Sequence, residues 1–155
     1  MSDHTMIREC AMVYRGRARK APRCLRDSRG VVEYFAWMNN EPKEHFCTLL
    51  LNGRHVPISH TVVSVGTLNS SLVHPREVFS TAIIGGAAAI VLVHNHPSGD
   101  SSPSSEDDAI TQRLVIAGRL LGINVLDHVV IGRPGWYSYR EKRGADMDAW
   151  KEKAP

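Results

Sequence analysis

The sequence lacks the features that mark several specialised protein classes. Only three of its 155 residues are cysteine, and Cys10, Cys24 and Cys47 form no C-x-x-C pair. An odd, scattered set excludes a disulfide framework and a cysteine zinc site, and reads as reduced thiols in a cytoplasmic protein. The first residues contain no apolar run of signal-peptide length, so no secretory signal is expected. The longest apolar stretch, residues 87–93, falls far short of the roughly 20 residues that a membrane-spanning helix needs, and no membrane association is expected. A net charge of +3 is too mild to imply a nucleic-acid partner by itself. No internal repeat is present. What remains is an ordinary hydrophobic content of 43%, enough for one domain that buries about two-thirds of its unfolded surface without a covalent staple.

The charge is unevenly placed. Arg15, Arg17, Arg19, Lys20, Arg23, Arg26 and Arg29 crowd one segment that only Asp27 opposes. Such a leader, residues 1–27, is expected chiefly to be solvated. Weak nucleic-acid contact through Arg15, Arg17, Arg19, Lys20 and Arg23 is the alternative, although no aromatic residues are interleaved for base stacking. One short strand is expected at 10–14. Ser28 is a candidate N-cap for a helix through Val31, Val32, Tyr34, Phe35 and Met38, ended by Asn39, Asn40 and Pro42. A strand at 46–51 meets Asn52-Gly53, a hairpin signal; strand segments follow near 55–59 and 61–65. Pro75 opens a helix that Gly85-Gly86 closes. Residues 88–94 are apolar on both faces, as in a covered central strand. A helix from about Ser104 to Leu121 stops at Gly122, followed by a buried strand at 125–131 and a short one at 136–139. Residues 141–155 read as a charged tail. Alternating helices and strands give an α/β or α+β class, a sheet covered by helices.

The informative run is His94-Asn95-His96-Pro97-Ser98-Gly99-Asp100, continued through Ser104 to Asp107. Histidines at i and i+2 near a strand end point to the same side of the sheet and can reach one ion. Pro97 and Gly99 then turn the chain away and leave that edge open. In the next helix the apolar positions Ile110, Leu114, Ala117 and Leu121 form a stripe. Asp107 is in phase with it, Glu106 less well, and Asp108 is expected to face water. A carboxylate on an inward face is costly unless it is paired or bound to a cation. Ser104-x-x-Asp107 is also a capping-box pattern, which would by itself explain Asp107. The joint occurrence favours a metal: two nitrogens and one carboxylate leave a fourth position for water, the pattern of a catalytic zinc site. A general base is also needed. Glu44, just before the strand at 46–51, is one candidate, although its position also fits an ordinary surface charge. Glu77 is another, already explained by the helix start it occupies.

These residues resemble a known family. His94-x-His96-Pro97 followed by Ser104-x-x-Asp107 matches the JAMM signature of JAB/MPN-domain metalloproteases. The wider pattern is similar to the bacterial RadC-like JAB domain: Gly66-Thr67-Leu68-Asn69, His74-Pro75-Arg76-Glu77-Val78-Phe79, His94 to Asp100, Pro103-Ser104 and Leu126-Asp127-His128. It spans about residues 28–140. The resemblance implies a single JAB/MPN domain with a deaminase-like α/β/α sandwich, its mixed sheet covered by helices. It also implies one zinc ion per chain on His94, His96 and Asp107. Glu44 takes the place of the glutamate that activates the water, and Ser104 that of the serine that stabilises the oxyanion. His74 and His128 belong to the pattern without a ligand role and are read as structural. Longer family members carry an N-terminal helix-hairpin-helix region of DNA-binding type, for which the basic leader is a poor substitute.

The expected activity is zinc-dependent hydrolysis of a peptide or isopeptide bond in a peptide or protein substrate, in the cytoplasm. The alternative is a DNA-associated accessory protein of the RadC family with a non-catalytic metal. Cytidine-deaminase chemistry would require a cysteine pair and a histidine-linked glutamate, and the sequence has neither arrangement.

Overall fold

A computed structural model describes residues 27–66 and 73–152. The strand expected at 10–14, the basic leader up to Arg26, and Thr67, Leu68 and Asn69 lie outside these residues. The elements follow in the order α1 (Ser28–Tyr34), a 3-10 turn (Ala36–Asn40), β1 (Glu44–Leu51), β2 (Pro57–Gly66), α2 (Pro75–Ile84), β3 (Ala89–Asn95), α3 (Ser105–Leu121), β4 (Asn124–Ile131), β5 (Trp136–Ser138) and α4 (Tyr139–Glu152). The strands form one mixed sheet in the order β2-β1-β3-β4-β5. β3 runs antiparallel to β1 and parallel to β4. The parallel pair requires a crossover, which α3 supplies.

Residue alternation divides the interior in two. Phe46, Leu50, Ile90, Leu92 and Val130 face one side, where α2, α3 and α4 cover them with Phe79, Leu114 and Met147. Cys47, Leu49, Leu51, Val91, Val93 and Val129 face the other, covered by Val31, Phe35 and Met38. This is the α/β/α layering that the sequence resemblance implies. Every residue of β3 is buried, from Ala89 to Asn95. Burial pushes the Cys47 thiol up to about 12, which keeps it protonated and unreactive.

Several local expectations are corrected. Asp27, not Ser28, caps α1: its Oδ1 accepts from the Gly30 N–H at 3.0 Å. Ser28 is instead used across the fold, accepting from Trp136 Nε1 at 2.8 Å and donating to Glu141. The helix also ends at Tyr34, earlier than expected, and gives way to the 3-10 turn. The β1–β2 connection is not a two-residue Asn-Gly turn. The Asn52 side chain accepts from the backbone of both Arg54 and Val56, which widens the loop and puts the positive φ of 57° at His55. β2 is one continuous strand rather than two pieces. The largest correction is at the C-terminus. In place of a charged tail from 141 onward, residues 139–152 form α4, a helix kinked at Arg143. Tyr139 and Met147 are fully buried, and Asp127 holds the helix start by accepting from Arg140 N at 2.9 Å and Ser138 Oγ at 2.6 Å. High charge hid a helix whose larger apolar side chains, Tyr139, Met147 and Trp150, pack against the core.

Met147→Ala should therefore destabilise the fold by about 2–5 kcal/mol, the range for truncating a buried methionine. Denaturant unfolding measures it. A change within about 0.5 kcal/mol, as for a solvated tail, would mean that α4 does not pack on the core.

Candidate metal centre

At the C-terminal end of β3 the pleat turns His94 toward α3, on the same face as Leu92. His96 follows just past the strand, its backbone N–H still bonded to Ile131 O at 2.9 Å. The loop then turns back over β4. Gly132 makes room for this: a Cβ there would lie 2.4 Å from Gly99 O and 2.7 Å from Ser101 N. α3 arrives with Asp107 on its buried side. The buried set, Asp107, Ile110, Thr111, Leu114, Val115 and Gly118, has the expected three- and four-residue spacing. Leu121, placed on the stripe from sequence, is 48% exposed. Glu106 is exposed and turned to Ser105.

The three side chains meet. His94 Nε2 lies 3.0 Å from His96 Nε2 and 3.2 Å from Asp107 Oδ1, and His96 Nε2 lies 3.4 Å from Asp107 Oδ2. Tetrahedral zinc bonds of about 2.0–2.1 Å put neighbouring ligand atoms roughly 3.3 Å apart, so the spacing fits such an ion. Two ring nitrogens 3.0 Å apart beside a carboxylate form a cluster able to chelate a metal. His96 is oriented for it, because its Nδ1 donates to Asp100 O at 2.7 Å and leaves Nε2 facing the cluster.

The capping box and the metal cluster prove compatible. Ser104 caps α3, its Oγ accepting from Asp107 N at 3.1 Å, while Ser104 N and Oγ both donate to Asp107 Oδ2 at 2.7 Å. The cap thus occupies Oδ2 and leaves Oδ1 toward His94. Burial opposes ionisation of Asp107, but the adjoining His94 and His96 outweigh it together and hold the carboxyl well below the usual carboxylate range. His96 is correspondingly raised, first by its hydrogen bond to Asp107, with a smaller contribution from the charge of Glu44.

That contribution places Glu44 near the cluster. β1 pairs Phe46 with His94, so continuing the antiparallel register sets Glu44 opposite His96. Asn95, buried between the two histidines, secures the alignment. Its Oδ1 accepts from His45 N at 2.8 Å and its Nδ2 donates to Lys43 O at 3.2 Å, bracketing Glu44. Glu77 is remote in role, bonded to Arg76 at 3.0 Å in the exposed first turn of α2. His74 caps that helix.

The sequence model of the RadC-like JAB domain matches residues 25–145. The chain belongs to the RadC-like JAB domain family. It is similar to a UPF0758 protein of Alkaliphilus metalliredigens, 59% identical over 100 residues that cover 64% of this chain and 43% of that protein. It is also similar to a UPF0758 protein of Symbiobacterium thermophilum, 53% identical over 119 residues, 76% of this chain and 51% of the relative. The chain spans about half the length of the curated relatives it matches.

Two features of this RadC-like JAB domain were not anticipated. Asp108 does not simply face water: Tyr139 Oη and Arg143 both donate to its Oδ1 at 2.7 Å, tying α3 to α4. The second feature is a layer behind the cluster. His128 on β4, fully buried, contacts His94 Nδ1 at 2.8 Å and Thr111 Oγ1 at 2.6 Å, and burial holds its pKa well below the ordinary histidine range. A lone histidine on an inward strand position was the available signal, since it needs a partner. Thr111, one turn beyond Asp107 on the same helix face, was the other.

These two neighbouring aspartates should separate cleanly. Asp107→Ala should abolish stoichiometric metal uptake in elemental analysis. Asp108→Ala should keep uptake and lose about 1 kcal/mol of stability, with its partly exposed partners discounting the cost. Equal loss of metal in both variants would contradict the helix phase.

Proposed function

We propose that this chain is a zinc-dependent hydrolase of the JAMM type, cleaving a peptide or isopeptide bond. The observation that carries the reading is the convergence of His94, His96 and Asp107 at the end of β3, beside the start of β1, where Glu44 stands two residues before the Phe46 that pairs with His94. Bound there, zinc supplies the Lewis acidity that polarises a carbonyl and makes water acidic. Glu44 takes the proton of the attacking water and passes it to the leaving amine. Ser104 serves the oxyanion only if its hydroxyl turns from Asp107 Oδ2, which would keep the bond from Ser104 N. A cytoplasmic setting suits the unpaired, buried thiol of Cys47. Among the described residues no helix is long and apolar enough to cross a membrane.

A second reading, a DNA-associated accessory protein with a non-catalytic metal, draws on Arg15, Arg17, Arg19, Lys20 and Arg23. It requires nucleic-acid binding that weakens steeply with salt.

The test is Glu44→Gln, assayed with peptide and isopeptide libraries. The variant should retain its zinc and lose about a hundredfold or more in turnover, because a glutamine of nearly the same shape cannot accept the proton. Glu77→Gln should leave turnover close to that of the unaltered protein. Activity preserved in Glu44→Gln would remove Glu44 from the mechanism, and no hydrolysis by the zinc-loaded protein would favour the second reading.

A further inference from the structure

Four groups in a row behind the centre admit one proton order. Thr111 Oγ1 donates to the backbone carbonyl of Asp107 at 2.5 Å. A carbonyl only accepts, so the single hydroxyl hydrogen is committed there. Thr111 Oγ1 can then meet His128 Nδ1, 2.6 Å away, only as an acceptor. His128 must carry its hydrogen on Nδ1, and with the ring neutral its Nε2 is a bare lone pair. His94 Nδ1, 2.8 Å from that lone pair, must donate to it. With the His94 ring neutral as well, its Nε2 is left without a hydrogen, facing His96 and Asp107. Thr111, His128 and His94 are all fully buried, so water does not compete for these bonds. Packing holds the His128 ring plane: Tyr139 stacks on it at 5.2 Å between centroids and 9° between planes, and Phe46 meets it edge-on at 5.5 Å. With the plane held by these two rings, the hydrogen bonds at the ring's two ends set which nitrogen bears the proton.

We infer that Thr111 and His128 are positioning residues that lock the buried His94 in its Nδ1–H tautomer and present Nε2 ready for a metal. The inference rests on the metal-centre reading for its purpose, but the lock is a property of the metal-free protein. A ligand histidine without such a lock spends part of its time with a hydrogen on the coordinating atom, and displacing that hydrogen weakens affinity. Outer partners of this kind typically alter metal affinity by about 10–100-fold. The lock also joins the ligands mechanically, because the chain that begins at the Asp107 carbonyl ends at His94. Helix α3 and strands β3 and β4 thereby share one hydrogen-bonded path to the centre.

The test compares Thr111→Val, which keeps the side-chain shape and removes the hydroxyl, with Thr111→Ser, which keeps the hydroxyl. Two readouts are used: zinc affinity by competition with a chromophoric chelator, and the His94 tautomer from long-range 1H–15N spectra of metal-free protein at alkaline pH. Thr111→Val should bind zinc about tenfold more weakly and show His94 divided between tautomers. Thr111→Ser should match the unaltered protein in both. Hydrogen on His94 Nε2 in the unaltered protein overturns the inference. So does Thr111→Val with an unchanged tautomer, even if its thermal midpoint falls, since that would be packing alone. If the unaltered protein shows the Nδ1–H tautomer, Thr111→Val loses it, and neither takes up zinc, the lock is upheld and the metal-centre reading fails.

Discussion

An ionised carboxylate can stay in a protein interior only where donors and positive charge surround it, because the cost of leaving water is otherwise several kcal/mol. Asp107 is such a group, 2% exposed and enclosed by the β3 end and α3. Ser104 gives it two hydrogen bonds, which answers for one oxygen. The other faces His94 at 3.2 Å. Two imidazole nitrogens converging on the same side complete a surrounding that a cation satisfies in full, and the rest of the fold can be read as the apparatus that sets these three atoms in place.

Each part of that apparatus has a physical reason. β3 is central and wholly buried, so the direction of His94 is set by a pleat that cannot shift without disturbing both neighbouring strands. The parallel β3–β4 pair demands a crossover, and the crossover delivers the start of α3 to the strand end. The capping box that any helix of this length would benefit from also fixes the Asp107 carboxylate. Asn95 spends its side chain on the backbone around Glu44 rather than on the centre itself, which joins the edge of β1 to the end of β3. The α4 helix, far from the ligands in sequence, reaches them through Tyr139, whose ring stacks on His128 and whose hydroxyl anchors on Asp108.

What was legible in the sequence follows from this arrangement. His94, His96 and Asp107 were found because their signals are local: an i, i+2 pair, a turn, and a phase on one helix. The central strand, the limits of α2 and the caps of α3 were legible for the same reason. Ser28, Asn52 and Asp108 were misread because each side chain does something that local pattern does not encode. Ser28 and Asp108 serve partners more than 30 residues away; Asn52 folds its own loop more widely than its dipeptide suggests. Thr111 and His128 look like filler in any one segment and acquire meaning only when α3 and β4 are brought together over β3. The C-terminal helix was missed because charge dominates its composition while three or four aromatic and apolar side chains decide its packing.

The central claim is that the three convergent side chains hold one metal ion. Anomalous diffraction at the zinc edge, from crystals of protein prepared without chelators and supplied with zinc, tests it most directly. The account predicts one strong peak per chain, bounded by His94 Nε2, His96 Nε2 and the Asp107 carboxylate. Absence of a peak there in zinc-supplied crystals, or zinc held only at surface sites away from these three side chains, would contradict it.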